Sequence, residues 1–177
     1  MKTIVIYKSK TGFTKKYAEW IAEALSADIY DISKVSISML DDYDAVVFGG
    51  SLHAAGVTGL KMITDNFDKL KSKRIAVFAT GASPAREEVI NEVRDKNFTQ
   101  EQQKYIQFFY IRGGFDYNKL PVIDKFLMML LKIKIKNKKR KNIKLTSDEI
   151  GMLNAYDNPV DFTNRKNIED VITYIVP

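Results

Sequence analysis

The amino-acid sequence predicts an α/β fold built on a doubly wound parallel sheet. Three observations lead there. Short, continuously apolar runs recur along the chain, amphipathic helical patterns lie between them, and the segments that follow the runs consist of small and hydroxyl-bearing residues. Runs that are apolar throughout, rather than alternating, suit strands covered on both faces. Strands separated by helices are joined by crossovers, which makes them parallel.

The strand candidates are Thr3–Tyr7, Ala45–Phe48, Ile75–Ala79 and Ile106–Ile111, each rich in Val, Ile, Phe or Tyr, with a weaker one at Asp28–Ile32. Between them, Thr14–Leu25 places Tyr17, Ile21, Ala24 and Leu25 on one helical face and Lys15, Lys16, Glu19 and Glu23 on the other. Helical spacing makes Tyr17 and Trp20 packing residues. The segment Gly59–Leu70 spaces Leu60, Ile63, Phe67 and Leu70 by three and four. Ser83 and Pro84 read as the N-cap and first position of a further helix, with Glu87 and Glu88 complementing its dipole. A last helix is expected over Asn167–Ile175, after Thr163 and Asn164. With no internal repeat and no linker rich in Gly, Ser or Pro, 177 residues read as a single domain, 1–177.

Composition narrows the chemistry. Apolar residues make up 45% of the chain, enough for a core, and no apolar stretch reaches eighteen residues. The apolar start Met1–Tyr7 is too short for a signal segment and is ended by the polar residues Lys8–Thr11, so a cytoplasmic location is expected. There is no cysteine and one histidine, His53. Disulfides, thiolate nucleophiles, iron–sulfur ligation and Cys- or His-rich metal sites are excluded, and no metal is expected. Any redox chemistry must come from a bound organic cofactor.

The net charge of +6 misleads as an average. Lys132, Lys134, Lys136, Lys138, Lys139, Arg140, Lys141 and Lys144 fall in one acid-free stretch, and without these eight the chain has 20 basic against 22 acidic residues, a net of −2. This stretch adjoins Leu120–Ile135, in which Phe126–Leu131 is apolar all round. The apolar–basic segment 120–144 has several readings. It is a helix buried against the sheet, followed by a solvated charge run, or a helix with an exposed apolar face. In the second case Lys132–Lys144 would make peripheral contact with an anionic membrane or its quinone pool. Nucleic acid is disfavoured, since neither aromatic interleaving nor a nucleic-acid motif accompanies the charges.

In a sheet of this kind, ligands bind at the carboxyl ends of the strands. After the first strand comes Ser9-Lys10-Thr11-Gly12-Phe13-Thr14, which opens a helix and offers three hydroxyls, a glycine and free backbone N–H groups, a set that suits a phosphate. The absence of Gly-x-Gly-x-x-Gly disfavours a dinucleotide, and the absence of a Gly-Lys-Ser/Thr ending disfavours a nucleoside triphosphate. The same composition also fits an ordinary turn with Thr11 as N-cap. The segment Gly49-Gly50-Ser51-Leu52-His53-Ala54-Ala55-Gly56 follows the third strand, and Thr80-Gly81-Ala82-Ser83 follows the fourth. Small side chains there let backbone approach a flat ring and bond its edge. His53 is open to two readings, a ring contact or proton donor beside the ring, or a solvated loop residue.

The order Ser9-x-Thr11-Gly12-x-Thr14 after a strand that begins at residue 3 resembles the FMN phosphate loop of flavodoxins, and the resemblance extends over nearly the whole chain. Within that superfamily the chain is most similar to the branch of the menaquinone-dependent protoporphyrinogen dehydrogenase, through Phe48-Gly49-Gly50-Ser51-Leu52, through Gly113-Gly114-Phe115-Asp116-Tyr117 leading into an apolar–basic helix, and through Asp161-Phe162-Thr163. The resemblance implies FMN as cofactor and a five-stranded parallel sheet in the order 2-1-3-4-5 with helices on both faces. It places the phosphate on Ser9, Lys10, Thr11, Gly12, Phe13 and Thr14, and the ring on Gly50, Ser51, Leu52, His53, Thr80, Gly81, Ala82 and Ser83. It also implies an oxidoreductase, protoporphyrinogen dehydrogenase-like or quinone-linked, exchanging electrons with a quinone or a redox protein. The alternative within the superfamily is a one-electron carrier shuttling between partner proteins. Two departures stand out. Carrier flavodoxins sandwich the ring between aromatic side chains, where the loops here offer Leu52 and His53. The dehydrogenase branch tends to carry an Arg-Tyr pair where this chain has His53-Ala54.

Overall fold

A computed structural model describes residues 1–176. In chain order its main elements are β1 (Thr3–Lys8), α1 (Phe13–Leu25), β2 (Asp28–Asp31), β3 (Ala45–His53), β4 (Gly56–Val57), α2 (Lys61–Thr64), α3 (Phe67–Leu70), β5 (Arg74–Gly81) and α4 (Glu87–Asn97). They continue with β6 (Ile106–Arg112), β7 (Gly114–Phe115), α5 (Val122–Arg140), α6 (Ser147–Asp157), β8 (Val160–Asp161) and α7 (Glu169–Ile175). The five long strands pair in parallel in the order β2-β1-β3-β5-β6, the doubly wound arrangement expected from the sequence.

Strand alternation divides the core between two layers. Ile4, Ile6, Val46, Phe48, Ile75 and Val77 face α2, α3 and α4, where Ile63, Leu70 and Val93 meet them. Val5, Val47, Ala76 and Phe78 face α1 and α7, where Tyr17, Ile21, Val171 and Ile175 close the layer. All the named strand residues are fully buried, which is why the runs carry apolar residues on both parities. The register pairs Lys8 with Gly50, Ser51 with Thr80 and Gly81 with Arg112, so the carboxyl ends of β1, β3, β5 and β6 share one edge.

Several boundaries differ from the expectation, each for a physical reason. β3 does not stop at Phe48 but runs to His53 and turns into the antiparallel β4, with Leu52 opposite Val57. Gly49 is a buried strand residue, because a Cβ there would enter the Phe78 ring. The expected helix over Gly59–Leu70 is two short helices interrupted at Asp65-Asn66, where the Asn66 side chain donates to Met62 O at 3.0 Å. The helix expected from Pro84 starts at Glu87 with Arg86 as cap, although Glu87 and Glu88 do occupy its first turn. The last helix opens with a 3-10 turn over Arg165–Ile168, capped by the Asn164 side chain.

Between β6 and α7 the chain makes an excursion, residues 113–163. The ladder β7–β8 clips its base, with Gly114 opposite Asp161 and Phe115 opposite Val160, and Phe162 N–H donates to Gly113 O at 2.8 Å. A capping box starts α6, in which Thr146 and Glu149 exchange hydrogen bonds of 3.2 and 3.0 Å. The Tyr156 hydroxyl donates to Met128 O and joins α6 to α5. α5 is not buried against the sheet: only Asp124 and Ile135 are buried along it, whereas Val122, Ile123, Phe126, Met129, Leu130 and Ile133 face outward. No helix among the described residues is long and apolar enough to cross a membrane.

Candidate functional site

The turn from β1 into α1 decides how an anion could be held. Gly12 caps α1 with φ +95°, a left-handed conformation that only glycine adopts without strain. Thr11 is therefore not the N-cap, and no side chain caps this helix. The Gly12 N–H donates to Ser9 Oγ at 3.1 Å, and the first intrahelical bond runs from Lys16 N–H to Gly12 O at 2.9 Å. The amides of Phe13, Thr14 and Lys15 thus have no partner within the helix and lie at its positive end. The Thr14 hydroxyl is committed elsewhere, being buried 2.6 Å from Thr80 Oγ1, where it ties the first turn to the end of β5. The Lys10 ammonium contacts Asp124 Oδ2 at 2.6 Å, which anchors the start of α5 to the same turn.

Beside this turn lies a cavity of about 680 Å³, within the range of small-molecule sites. Of the expected site residues, Lys10, Thr11, Phe13, Ser51, Leu52, His53, Thr80, Gly81, Ala82 and Ser83 line it. Ser9, Gly12, Thr14 and Gly50 do not. Ser9 and Gly12 shape the turn, Thr14 braces it, and a Cβ on Gly50 would strike Val57 Cγ1 and Thr58 O under the β3–β4 hairpin, at 2.5 and 2.6 Å. His53 is exposed at the rim. Gly81 allows close packing, because a Cβ there would meet the Tyr110 hydroxyl. That hydroxyl donates to Ser83 O at 2.8 Å and fixes the strand-end loop, and burial pushes its pKa up, so it stays a donor at neutral pH.

The opposite wall comes from the excursion. Leu127, Met128 and Leu131 of α5, Met152 and Asp148 of α6, and Phe115, Asp116 and Leu120 before them complete the cavity, with Val89, Glu92 and Val93 of α4 along one side. The ion pair Arg86–Asp148, at 2.7 Å, joins α6 to the start of α4. Among the described residues, no cluster of His, Cys, Asp or Glu is placed to hold a metal.

The model of the flavodoxin domain family matches residues 4–142. The chain belongs to this family. An uncharacterized protein of Methanocaldococcus jannaschii is 35% identical over 100 residues, which span 54% of this chain and 65% of that relative. Among solved structures, the two-electron reduced flavodoxin of Megasphaera elsdenii is similar at 16% identity with a TM-score of 0.44, covering 68% of this chain and 88% of that one. A flavoprotein of Lactobacillus acidophilus in complex with FMN is similar at 18% identity with a TM-score of 0.40, covering 63% and 91%.

As a flavodoxin-domain protein the chain is an FMN-binding flavoprotein, and its own residues fit that cofactor. The free amides after Gly12 and the Thr11 hydroxyl suit a phosphate, and the small residues Ser51, Gly81, Ala82 and Ser83 give backbone access to a ring edge. Sequence reading missed the far wall. Its α5 residues lie in a segment that could be read either as a helix buried on the sheet or as one with an exposed face, and the Lys10–Asp124 pair joins positions 114 apart. The one local signal was the unbroken apolar run Phe126–Leu131, whose Leu127, Met128 and Leu131 turn toward the cavity.

Proposed function

We propose that this flavodoxin domain is an FMN-dependent oxidoreductase that admits a flat apolar substrate, of the quinone or porphyrinogen class, beside its flavin. The observation that carries the reading is the aliphatic wall. Leu127, Met128, Leu131 and Met152 line the cavity together with Leu52, where a carrier would need the ring edge presented to a partner protein. Unstacked aliphatic side chains leave a flat molecule room to lie against a ring, and Met adapts to irregular shapes. FMN, when bound, supplies the electron chemistry. The protein's share is positional. Thr11 and the amides of Phe13, Thr14 and Lys15 hold the phosphate. The backbone of Ser51–His53 and Gly81–Ser83 meets the ring edge, with Tyr110 bracing Ser83. His53, at the rim, can exchange a proton with a substrate at the mouth. In this reading 1–177 acts as one domain, because the excursion completes the cavity that the sheet begins.

An anaerobic reductive titration of the FMN-loaded protein, followed by addition of a menaquinone analogue, tests the proposal. The expected result is reduction to the two-electron level without accumulation of a one-electron form, then reoxidation by the quinone. Accumulation of a stable one-electron form, with no quinone turnover, would assign the protein to the carriers.

A further inference from the structure

We propose that the outward face of α5 is a docking surface for an anionic lipid bilayer. With 3.6 residues per turn, Val122, Ile123, Phe126, Leu130 and Ile133 share one face of the helix. They are exposed, Val122 by 83% and Ile123 by 75%. Past Ile133 the same face continues in charge, with Lys134, Arg140 and Lys141. The opposite face holds Asp124 and Ile135 against the rest of the protein. A helix apolar at one end and basic at the other along a single outward stripe matches the hydrocarbon edge and the phosphates of an anionic interface.

Charge argues for lipid and against other occupants. Of the eight cations in 132–144, Lys132 pairs with Asp157 at 3.5 Å and Lys138 with Glu149 at 2.7 Å. The other six form no ion pair among the described residues. Asp124 is the one acid between 122 and 144, and Lys10 neutralises it. A second copy docked through this same face by a two-fold axis would offer these six cations no acidic partner. A groove of about 390 Å³ at the end of the same helix is lined by Leu130, Ile133 and Ile143 together with Lys134, Lys138 and Lys141. Apolar side chains beside ammonium groups suit a phospholipid, whose acyl chain meets the first and whose phosphate meets the second. The helix is too polar to cross a bilayer, so it would lie on the surface. Attachment does not depend on the oxidoreductase reading. If both hold, Leu127, exposed on α5 and also lining the cavity, connects the lipid surface to the mouth.

Co-sedimentation with vesicles of phosphatidylcholine alone, and of phosphatidylcholine mixed with phosphatidylglycerol, tests the surface on the unaltered FMN-loaded chain. The protein is expected to pellet with the anionic vesicles at low salt and to be released at about 1 M salt, where the screening length falls to about 3 Å. Changing Lys134, Lys139, Arg140 and Lys141 together to Gln should weaken partitioning by at least ~100-fold. Changing Ile123, Phe126 and Leu130 together to Ser should weaken it as well. Both variants should keep FMN binding, since none of these seven side chains lines the cavity. Equal binding to both vesicle types, or binding to neither, would overturn the proposal. So would a concentration-dependent dimer formed without lipid and lost in the Ser variant, which would give the face to a second copy.

Discussion

The sheet and the excursion solve opposite problems with similar side chains. β3 and β5 bury Val46, Val47, Phe48, Ile75, Val77 and Phe78 completely, with helices on both sides. α5, equally rich in Ile, Leu, Met and Phe, buries little of that surface and turns the rest outward. The sheet is held by area removed from water, about 1.5–3 kcal/mol for each large side chain. The excursion buries few side chains, Ile135, Ala155 and Tyr156 among them, and adds discrete polar ties: the β7–β8 ladder, Lys10–Asp124, Arg86–Asp148 and the Tyr156 hydroxyl. Apolar content therefore does not tell which part of this flavodoxin domain carries stability and which part is free to meet a ligand or a surface.

Large-to-small changes should break the symmetry of composition most sharply. Phe48→Ala, in the fully buried layer, is expected to cost about 3–5 kcal/mol in denaturant unfolding, whereas Phe126→Ala on α5 should stay within about 0.5 kcal/mol. Equal losses would mean that α5 packs as a core helix. Next in size is Tyr17→Phe. The Tyr17 hydroxyl donates to Arg112 O at 2.8 Å and accepts from Asn164 N–H at 3.1 Å and Asn167 Nδ2 at 2.9 Å, joining α1 to β6 and to the returning end of the excursion. Its loss should destabilise by about 2 kcal/mol.

Asp124→Asn sharpens the comparison in a different observable. It leaves Lys10 without its partner, and the expected global loss is about 1–2 kcal/mol. Proteolysis should show more, with early cleavage moving into 120–145 while the sheet stays protected. The sheet edge offers a test in pH. The Tyr43 hydroxyl donates to Asp28 at 2.7 Å, and that bond, with burial, raises its pKa to about 12. An unfolded tyrosine titrates near 10. Folding thus favours the protonated phenol. The resulting stability is complete below about pH 10 and is lost as pH rises toward 12. Tyr43→Phe should flatten stability across that window, and an unchanged slope would contradict the assignment.

Much of the sheet was legible because a strand covered on both faces announces itself in consecutive residues, as in Thr3–Tyr7 and Ile75–Ala79. The ends of those strands were not. Gly49-Gly50-Ser51 has the composition of a loop, yet it is strand, since Phe78, Val57 and Thr58 occupy the space that side chains would need. The turn from β1 into α1 could be singled out from its hydroxyls and glycine, but not the division of labour within it. That Gly12 rather than Thr11 caps the helix, and that Thr14 bonds Thr80, depends on backbone angles and a partner 66 residues away. For α5, periodicity could not separate a buried helix from an exposed one. Over Phe126–Leu131 it is apolar all round and lacks the polar stripe that marks an outward face, and here that outward face is itself apolar.

The central claim is that FMN sits in the cavity with its phosphate at the start of α1, and Thr11→Glu tests it most directly. Thr11 is partly exposed and caps nothing, so the substitution should leave the unfolding temperature of the FMN-free protein unchanged. Titration with FMN should quench flavin fluorescence and stabilise the unaltered protein, by about 2.7 kcal/mol at a hundred times Kd. In Thr11→Glu the added carboxylate repels the phosphate, and both responses should disappear. Undiminished quenching and stabilisation in Thr11→Glu, or neither response in the unaltered protein, would contradict the account.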